Sequence, residues 1–270
     1  MEPKKERLDT ILLKRGLVES RERAHRLILA GQILVKGIPQ PKPGMQVRPD
    51  VEISLKESLQ KYVSRGGYKL EAALNRFGIN PAGCVCMDVG ASTGGFTDCL
   101  LQRGAVRVYA IDVGYGQLHF RLRNDPRVLI RERVNARLLS EKVVPEPVDL
   151  AVIDVSFISL KLILPVVARL LVPGGVVIPL IKPQFEAERK KVPRGGVVKD
   201  RDVHRQVLEA MLGEFGRMGW LVLGLMPSPL MGTSGNREYL AHIKRPIPFE
   251  TASPPDINIE SIIKENSETI

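Results

Sequence analysis

The run Val85-Cys86-Met87-Asp88-Val89-Gly90-Ala91-Ser92-Thr93-Gly94-Gly95-Phe96 limits the possible folds more than any other part of the chain. An apolar strand ends in an acid and breaks into a glycine-rich turn that opens a helix. Glycine tolerates positive φ and lets a ligand approach the main chain, so this turn points to a nucleotide or a nucleotide-like cofactor. Two familiar loops fail against it. Gly90 and Gly95 have the glycine spacing of a phosphate-binding P-loop, but Phe96-Thr97 stands where the lysine belongs. The dinucleotide fingerprint requires glycine two residues after Gly90, where this chain has Ser92.

What remains is an acid-tipped strand and a D-x-G-x-x-x-G-G loop, followed by a second strand, Val106 to Ile111, that ends in Asp112. A carboxylate there can accept both hydroxyls of a ribose. A loop without a dedicated cation suits a ligand without phosphates, and S-adenosylmethionine is the common one. These residues resemble motif I of class I methyltransferases. The resemblance implies that Asp88, Gly90 and Gly94 lie near the methionine part and Asp112 at the ribose, with Ala91, Ser92, Thr93, Gly95, Phe96, Val113 and Asp154 also expected at the cofactor. The competing reading is a plain βα corner tightened by glycines; turn and downstream acid together favour the cofactor.

From Tyr68 onward apolar strands alternate with helical segments: Val85 to Val89, Val106 to Ile111, Leu150 to Ile153, Val176 to Ile181, Leu221 to Leu225 and Tyr239 to Ile243. Such alternation predicts an α/β fold with a mostly parallel sheet, whose ligands sit at the carboxyl ends of the strands. Asp154 and Lys182 stand at two of those ends, Glu238 enters the last strand and Lys69 opens the first helix. Asn135 follows a third strand, where it either contacts an adenine or simply caps a turn.

The residues after Asp154 sort the chemistry. Amine methylation commonly uses [DN]-P-P-[YF] at this position, whereas this chain has Asp154-Val155-Ser156-Phe157. Attack on a cytosine ring needs a cleft cysteine, yet Cys84, Cys86 and Cys99 all lie in or beside the first strand and its helix. Three cysteines give no disulfide framework, and they read as reduced core thiols.

A net charge of +10 favours a polyanionic partner, because Lys and Arg displace phosphate counterions. Residues 1 to 80 carry sixteen Lys or Arg against nine Asp or Glu, while Pro246 to Ile270 carry one against five, so the basic surface belongs to the folded part of the chain, its amino end included. There a helix from Leu8 to Arg15 and a second one opened by Ser20 each carry one apolar stripe, and small strands follow at Ile33-Leu34-Val35 and Val51-Glu52-Ile53. R-L-D-x-x-L, S-R-x-x-A, the run Ile28 to Val35 and Lys36-Gly37 resemble the small αL, S4-like RNA-binding module. That module is shared by a small-subunit ribosomal protein, pseudouridine synthases and tyrosyl-tRNA synthetases. The residues expected on RNA are Arg7, Lys14, Arg15, Arg21, Arg23, Arg26 and Lys36, with Arg65 in the connector. Arg189, Lys190, Lys191 and Arg194, in a basic loop past Lys182, either clamp RNA or are solvated.

Taken with Ser64-Arg65-Gly66-Gly67-Tyr68-Lys69-Leu70, Lys182-Pro183-Gln184-Phe185-Glu186 and Gly235-Asn236-Arg237-Glu238-Tyr239-Leu240, the whole chain resembles the TlyA family. The resemblance implies a class I, Rossmann-like, FtsJ-like methyltransferase domain behind a small α+β S4-like domain, with S-adenosylmethionine as donor and cytidine ribose of ribosomal RNA as acceptor. It maps a catalytic tetrad onto Lys69, Asp154, Lys182 and Glu238, with no metal and no obligate protein partner. Lys182 then acts either as a neutral base or as a charged stabiliser of the alkoxide; sequence does not choose.

The expected division is residues 1–58 for RNA binding, a 59–67 connector hinged at Gly66-Gly67, 68–246 for catalysis, and 247–270 as a loose acidic tail. A cytoplasmic protein without a cleavable leader is expected. A pore-forming hemolysin, the rival from another class, finds no apolar segment long enough to span a bilayer, and the third reading is a ribosome-binding assembly factor without turnover.

Overall fold

The computed structural model describes residues 5–18, 20–55, 61–232, 234–247 and 255–265. The chain divides into two units, Met1–Lys61 and Tyr62–Ile270.

In the smaller unit β1 (Glu6–Arg7) leads into α1 (Leu8–Lys14) and α2 (Arg21–Leu29), followed by β2 (Ile33–Val35), β3 (Gln46–Val47) and β4 (Ile53–Leu55). Ser20 caps α2 by accepting the Arg23 amide at 3.1 Å. The apolar stripes Leu8, Ile11 and Leu12 on α1 and Ala24 and Ile28 on α2 close over Ile33, Val35 and Val47 as one core. The strand expected at 51–53 begins at Ile53, because antiparallel pairing aligns Ile33 with Leu55 and Val35 with Ile53.

The larger unit opens with α3 (Gly66–Phe77), then β5 (Val85–Val89), α4 (Gly95–Gln102), β6 (Arg107–Ile111), α5 (Phe120–Arg123), β7 (Val128–Arg131) and β8 (Val148–Ile153). It continues with α6 (Leu160–Leu170), β9 (Leu171–Ile181), α7 (Pro183–Glu186), α8 (Arg201–Arg217), β10 (Leu221–Pro227), β11 (Tyr239–Lys244) and α9 (Ile259–Lys264). The sheet runs β10-β11-β9-β8-β5-β6-β7, with β11 antiparallel to both neighbours and the ladders from β9 to β7 parallel. The chain leaves β5 for β6 on one side and comes back to β8 on the other, which makes the β5/β8 boundary the topological switch point.

Alternation along the central strands builds two cores. Met87, Val89, Ala151 and Ile153 face the layer that contains α6 and α8, while Cys86, Leu150 and Val152 face α3 and α4. The apolar runs of the central strands β5, β6, β8 and β9 are buried on both faces, as parallel sheets require, whereas the antiparallel edge strand β10 is mostly half-buried.

Two expected boundaries are corrected. Gly66-Gly67 is the first turn of α3 rather than a hinge. Gly67 is buried, and a Cβ there would lie 2.2 Å from the Tyr62 ring. The Val63 amide donates to Asp98 at 2.8 Å, so residues 62–67 pack into the larger unit; residues 59–60 of the expected connector lie outside the described residues. The tail is not loose where it is described: α9 buries Ile262 and Ile263 in the core shared with α8, and Arg237 donates to the Ile263 carbonyl at 2.7 Å. Acidic composition concealed two apolar anchors. Residues 248–254 and 266–270 lie outside the described residues.

Candidate active site

Four parallel strand ends deliver the polar residues to one edge: Gly90 after β5, Asp112 after β6, Asp154 after β8 and Lys182 after β9. Because β11 runs against them, its starting end, preceded by Glu238, lies at that same edge. Lys69 comes from the first turn of α3. The tetrad expected from the sequence meets there as two ion pairs. Lys69 Nζ lies 2.5 Å from Glu238 Oε2, and Lys182 Nζ lies 2.6 Å from Asp154 Oδ1. Lys182 also donates to Ser156 Oγ at 3.0 Å. Both lysines are buried at 8% exposure, so these pairs form where water screens little.

Two cavities flank Gly90, Ser92 and Asp154 and share them. The first, about 350 Å³, is also lined by Ser64, Arg65, Lys69, Phe96 and Met231. The second, about 460 Å³, is lined by Asp112, Val113, Val134, Asn135 and Phe157. Both carry charged and apolar lining, Arg65, Lys69 and Asp154 with Phe96 in the first and Asp112 and Asp154 with Val134 in the second.

The glycine turn does other work than the sequence suggests. At Gly90, with φ +90°, a Cβ would stand 2.4 Å from the Asp154 carbonyl oxygen. At Gly94, with φ +96°, it would strike the Leu122 side chain at 2.3 Å. Neighbouring protein, and not only a ligand, therefore demands these glycines. The amides of Gly90 and Ala91 donate to the Ile111 carbonyl, and the Gly94 amide to that of Ala91. The Ser92 amide reaches Asp112 Oδ2 at 2.8 Å, and the Gly114 amide reaches Oδ1 at 2.7 Å. These bonds orient the Asp112 carboxylate and leave it lone pairs for ribose hydroxyls.

Asp88 is fully buried on the α4 side of the sheet. Its Oδ2 accepts the Thr97 amide at 2.9 Å and the Thr97 hydroxyl at 2.7 Å, while Oδ1 has no partner among the described residues. Burial pushes this carboxyl up to about 7, opposed by the Thr97 hydrogen bonds and reinforced by the charges of Asp154 and Asp112. Asn135 lines the second cavity, but its side chain accepts the Arg137 amide at 3.0 Å and so caps a turn as well.

Ser156 and Phe157 serve in the sequence only to exclude a motif. Phe157 holds a left-handed φ of +63°, costly for a bulky residue, and is 91% exposed against Phe185 with ring centroids 5.0 Å apart. Glu186 fixes this corner. It accepts Ser159 Oγ at 2.6 Å and the Leu160 amide at 2.8 Å, which ties the segment after Lys182 to the start of α6. Its carboxyl is raised by burial. The one available signal was position, since these residues follow a strand-end acid at a cofactor edge.

The expected RNA-contacting cations fall into two sets. In the smaller unit Arg7, Arg21 and His25 converge on buried Asp9, at 2.7, 3.3 and 3.0 Å. The Arg7 hydrogen bond foremost holds the Asp9 carboxyl far below its usual range. Lys14 pairs with Glu6, Lys36 with Glu52, and Arg15 donates to the Pro49 carbonyl. Arg23 and Arg26 have no ion-pair partner among the described residues. In the larger unit exposed Arg65 lines the first cavity. Lys190 and Lys191 pair with Glu188, whereas Arg189 and Arg194 have no ion-pair partner among the described residues.

Comparison with known proteins agrees with this geometry. Residues 62–245 match the FtsJ-like methyltransferase family, and residues 6–53 match the S4 domain. The chain is 44% identical over 239 residues to the 16S/23S rRNA (cytidine-2'-O)-methyltransferase TlyA of Mycobacterium tuberculosis, covering 88% of this chain and 89% of that protein. Hemolysin A of Brachyspira hyodysenteriae is 40% identical over 237 residues, 87% of this chain and 98% of that one. A solved structure of a hemolysin-named protein from Streptococcus thermophilus superposes with a TM-score of 0.72 at 42% identity, over 96% of this chain and 94% of the other. No helix among the described residues is long and apolar enough to cross a membrane. With a methyltransferase family matching the unit that holds the cleft, an S4 domain ahead of it and such relatives along nearly its whole length, the chain belongs to the TlyA family of FtsJ-like methyltransferases.

Proposed function

We infer that the chain transfers a methyl group from S-adenosylmethionine to the 2′-hydroxyl of cytidine in ribosomal RNA. The observation that carries this reading is the pair of lysine–carboxylate bridges at the switch point of the sheet, beside two cavities that share Gly90, Ser92 and Asp154. The residues fit such a donor. Asp112 is oriented for ribose hydroxyls, and Asp88 Oδ1 stands buried under the loop without a partner among the described residues. The bound donor supplies a methyl group already activated by a sulfonium.

The protein's task is then to place a weak nucleophile in line with that methyl group and to manage one proton. Lys182, held by Ser156 and by Asp154, which lines both cavities, stabilises the negative charge that develops on the ribose oxygen. The Lys182–Asp154 bridge supports this charged role, in which the proton of the ribose hydroxyl passes to solvent water as the oxygen is methylated. Lys69, which lines the first cavity, is paired with Glu238 and holds the ribose, and the exposed Phe157 ring offers a face for a base. Arg23 and Arg26 of the S4 domain, with Arg65, Arg189 and Arg194 of the larger unit, supply phosphate contacts.

The test is transfer of radiolabelled methyl to ribosomal RNA from cells that lack the enzyme, followed by nucleoside analysis. Label in 2′-O-methylcytidine is the expected result; label on a base, or none, overturns the reading. Lys182→Ala should lower transfer by about 10²- to 10³-fold while cofactor affinity stays near that of the wild type.

A further inference from the structure

A third cavity, about 330 Å³, adjoins the methyl-transfer cleft, because Met231 lines both. Lys199 and Arg201 at the start of α8 and Arg237 before β11 line it, and no carboxylate does. Lys199 and Arg201 are exposed and have no ion-pair partner among the described residues. Arg237 spends one Nη1 bond on the Ile263 carbonyl and keeps further N–H donors.

The nearby acids are otherwise engaged. Asp200 caps α8 by accepting the Asp202 amide at 2.8 Å, and Asp202 pairs with Arg205 at 2.9 Å. Behind the cations the lining is neutral. Burial lowers the His204 pKa, which favours the uncharged ring. The Val198 carbonyl, 2.9 Å from Nε2, can only accept, which places the ring proton on Nε2 and leaves Nδ1 to accept the Tyr239 hydroxyl at 2.9 Å. Asn236 locks the wall by accepting the Val198 amide and donating to the Gly196 carbonyl, both at 2.9 Å.

Three cations from two elements around a neutral lining make an anion site, and Arg237 directly precedes Glu238 of the lysine–carboxylate pair. We propose that the Lys199–Arg201–Arg237 cavity is a subsite for a backbone phosphate of the RNA strand whose ribose occupies the neighbouring cleft. The proposal rests on the RNA-methylating reading above. It assigns the carboxyl-terminal half a phosphate-binding role of its own, apart from the S4 domain and the basic loop at residues 189–194.

The experiment uses the full chain and ribosomal RNA from cells lacking the enzyme. Binding is followed by fluorescence anisotropy without cofactor over a range of salt concentrations. Lys199→Ala/Arg201→Ala should weaken binding about tenfold at physiological salt and reduce the slope of log K against log salt by about 0.7 for each single-strand phosphate that the variant no longer neutralises. Lys199→Arg/Arg201→Lys, which keeps both charges, should retain the wild-type slope. S-adenosylmethionine affinity by calorimetry should match the wild type in both. An unchanged slope in the alanine pair overturns the subsite, as does an equal loss in the charge-retaining pair. Because anisotropy requires no turnover, absent methyl transfer by the wild type would count against the functional reading and not against this one.

Discussion

Lys69 Nζ and Glu238 Oε2 lie 2.5 Å apart with 11% and 4% of their side chains exposed, which joins the first helix of the larger unit to its last strand. A buried pair of this kind contributes little net stability against an apolar substitute, but losing one partner strands a charge. Glu238→Ala should therefore cost about 3–5 kcal/mol in denaturant unfolding. Lys69→Met/Glu238→Leu should recover most of that stability while remaining inactive in methyl transfer. If the double variant transferred methyl at the wild-type rate, the pair would be structural only.

Gly90 touches the backbone of Asp154 so closely that a side chain at 90 must displace the lysine partner. Gly90→Ala also forces alanine to a φ of +90°, a strain on the order of 1–3 kcal/mol. The expected result is a soluble, less stable protein with transfer reduced at least about tenfold, since small misplacements at a reacting centre are costly. Wild-type activity would show that Asp154 tolerates the shift.

Patterns with strong local causes are legible in the sequence. The apolar strand runs, the acids at their ends and Lys182 come together at one edge because parallel strands with helical crossovers leave few other arrangements. Asp154 and Lys182 can be placed together from strand position alone. The partnership of Lys69 with Glu238 depends on a strand reversal 169 residues away in sequence, and only family resemblance suggests it. Other features need coordinates. By sequence Gly90 and Gly94 make room for a ligand, yet Asp154 and Leu122 occupy the space that a side chain would take. By charge Arg7 and Arg21 belong on RNA, while the acid that binds them, Asp9, lies in the same R-L-D motif and is buried. Charge counts report composition, not pairing.

The carboxyl-terminal helix supplies the clearest stability prediction. Ile263 is 3% exposed in the core that also holds Trp220, the one tryptophan of the chain. Ile263→Ala should cost the larger unit about 2–3 kcal/mol, the lower part of the range for buried isoleucine because a terminal helix can relax. Tryptophan fluorescence during urea unfolding isolates that unit. A midpoint identical to the wild type would mean that α9 is not docked in solution.

Asp88 makes the stability of the larger unit depend on pH in a direction opposite to that of an ion-paired acid. An unfolded carboxyl releases its proton near 4, whereas burial holds the Asp88 proton until about 7. Across this window the folded chain binds a proton that the unfolded chain has lost, so stability contributed by the protonated group is fully present below the lower value and is lost as pH rises to about 7. Asp88→Asn removes the titration, and any constant offset from the amide leaves the slope untouched. The difference in unfolding free energy, wild type minus Asp88→Asn, should thus fall by at most about 4 kcal/mol between pH 4 and 8. A flat difference would mean that Asp88 titrates alike in both states. Cofactor binding gives an independent readout. S-adenosylmethionine carries a sulfonium and an ammonium, and positive charge near Asp88 favours the ionised carboxylate. Calorimetry in buffers of different ionisation enthalpy near pH 7 should detect proton release from the wild type and none from Asp88→Asn; equal release from both would place the titrating group elsewhere in the cleft.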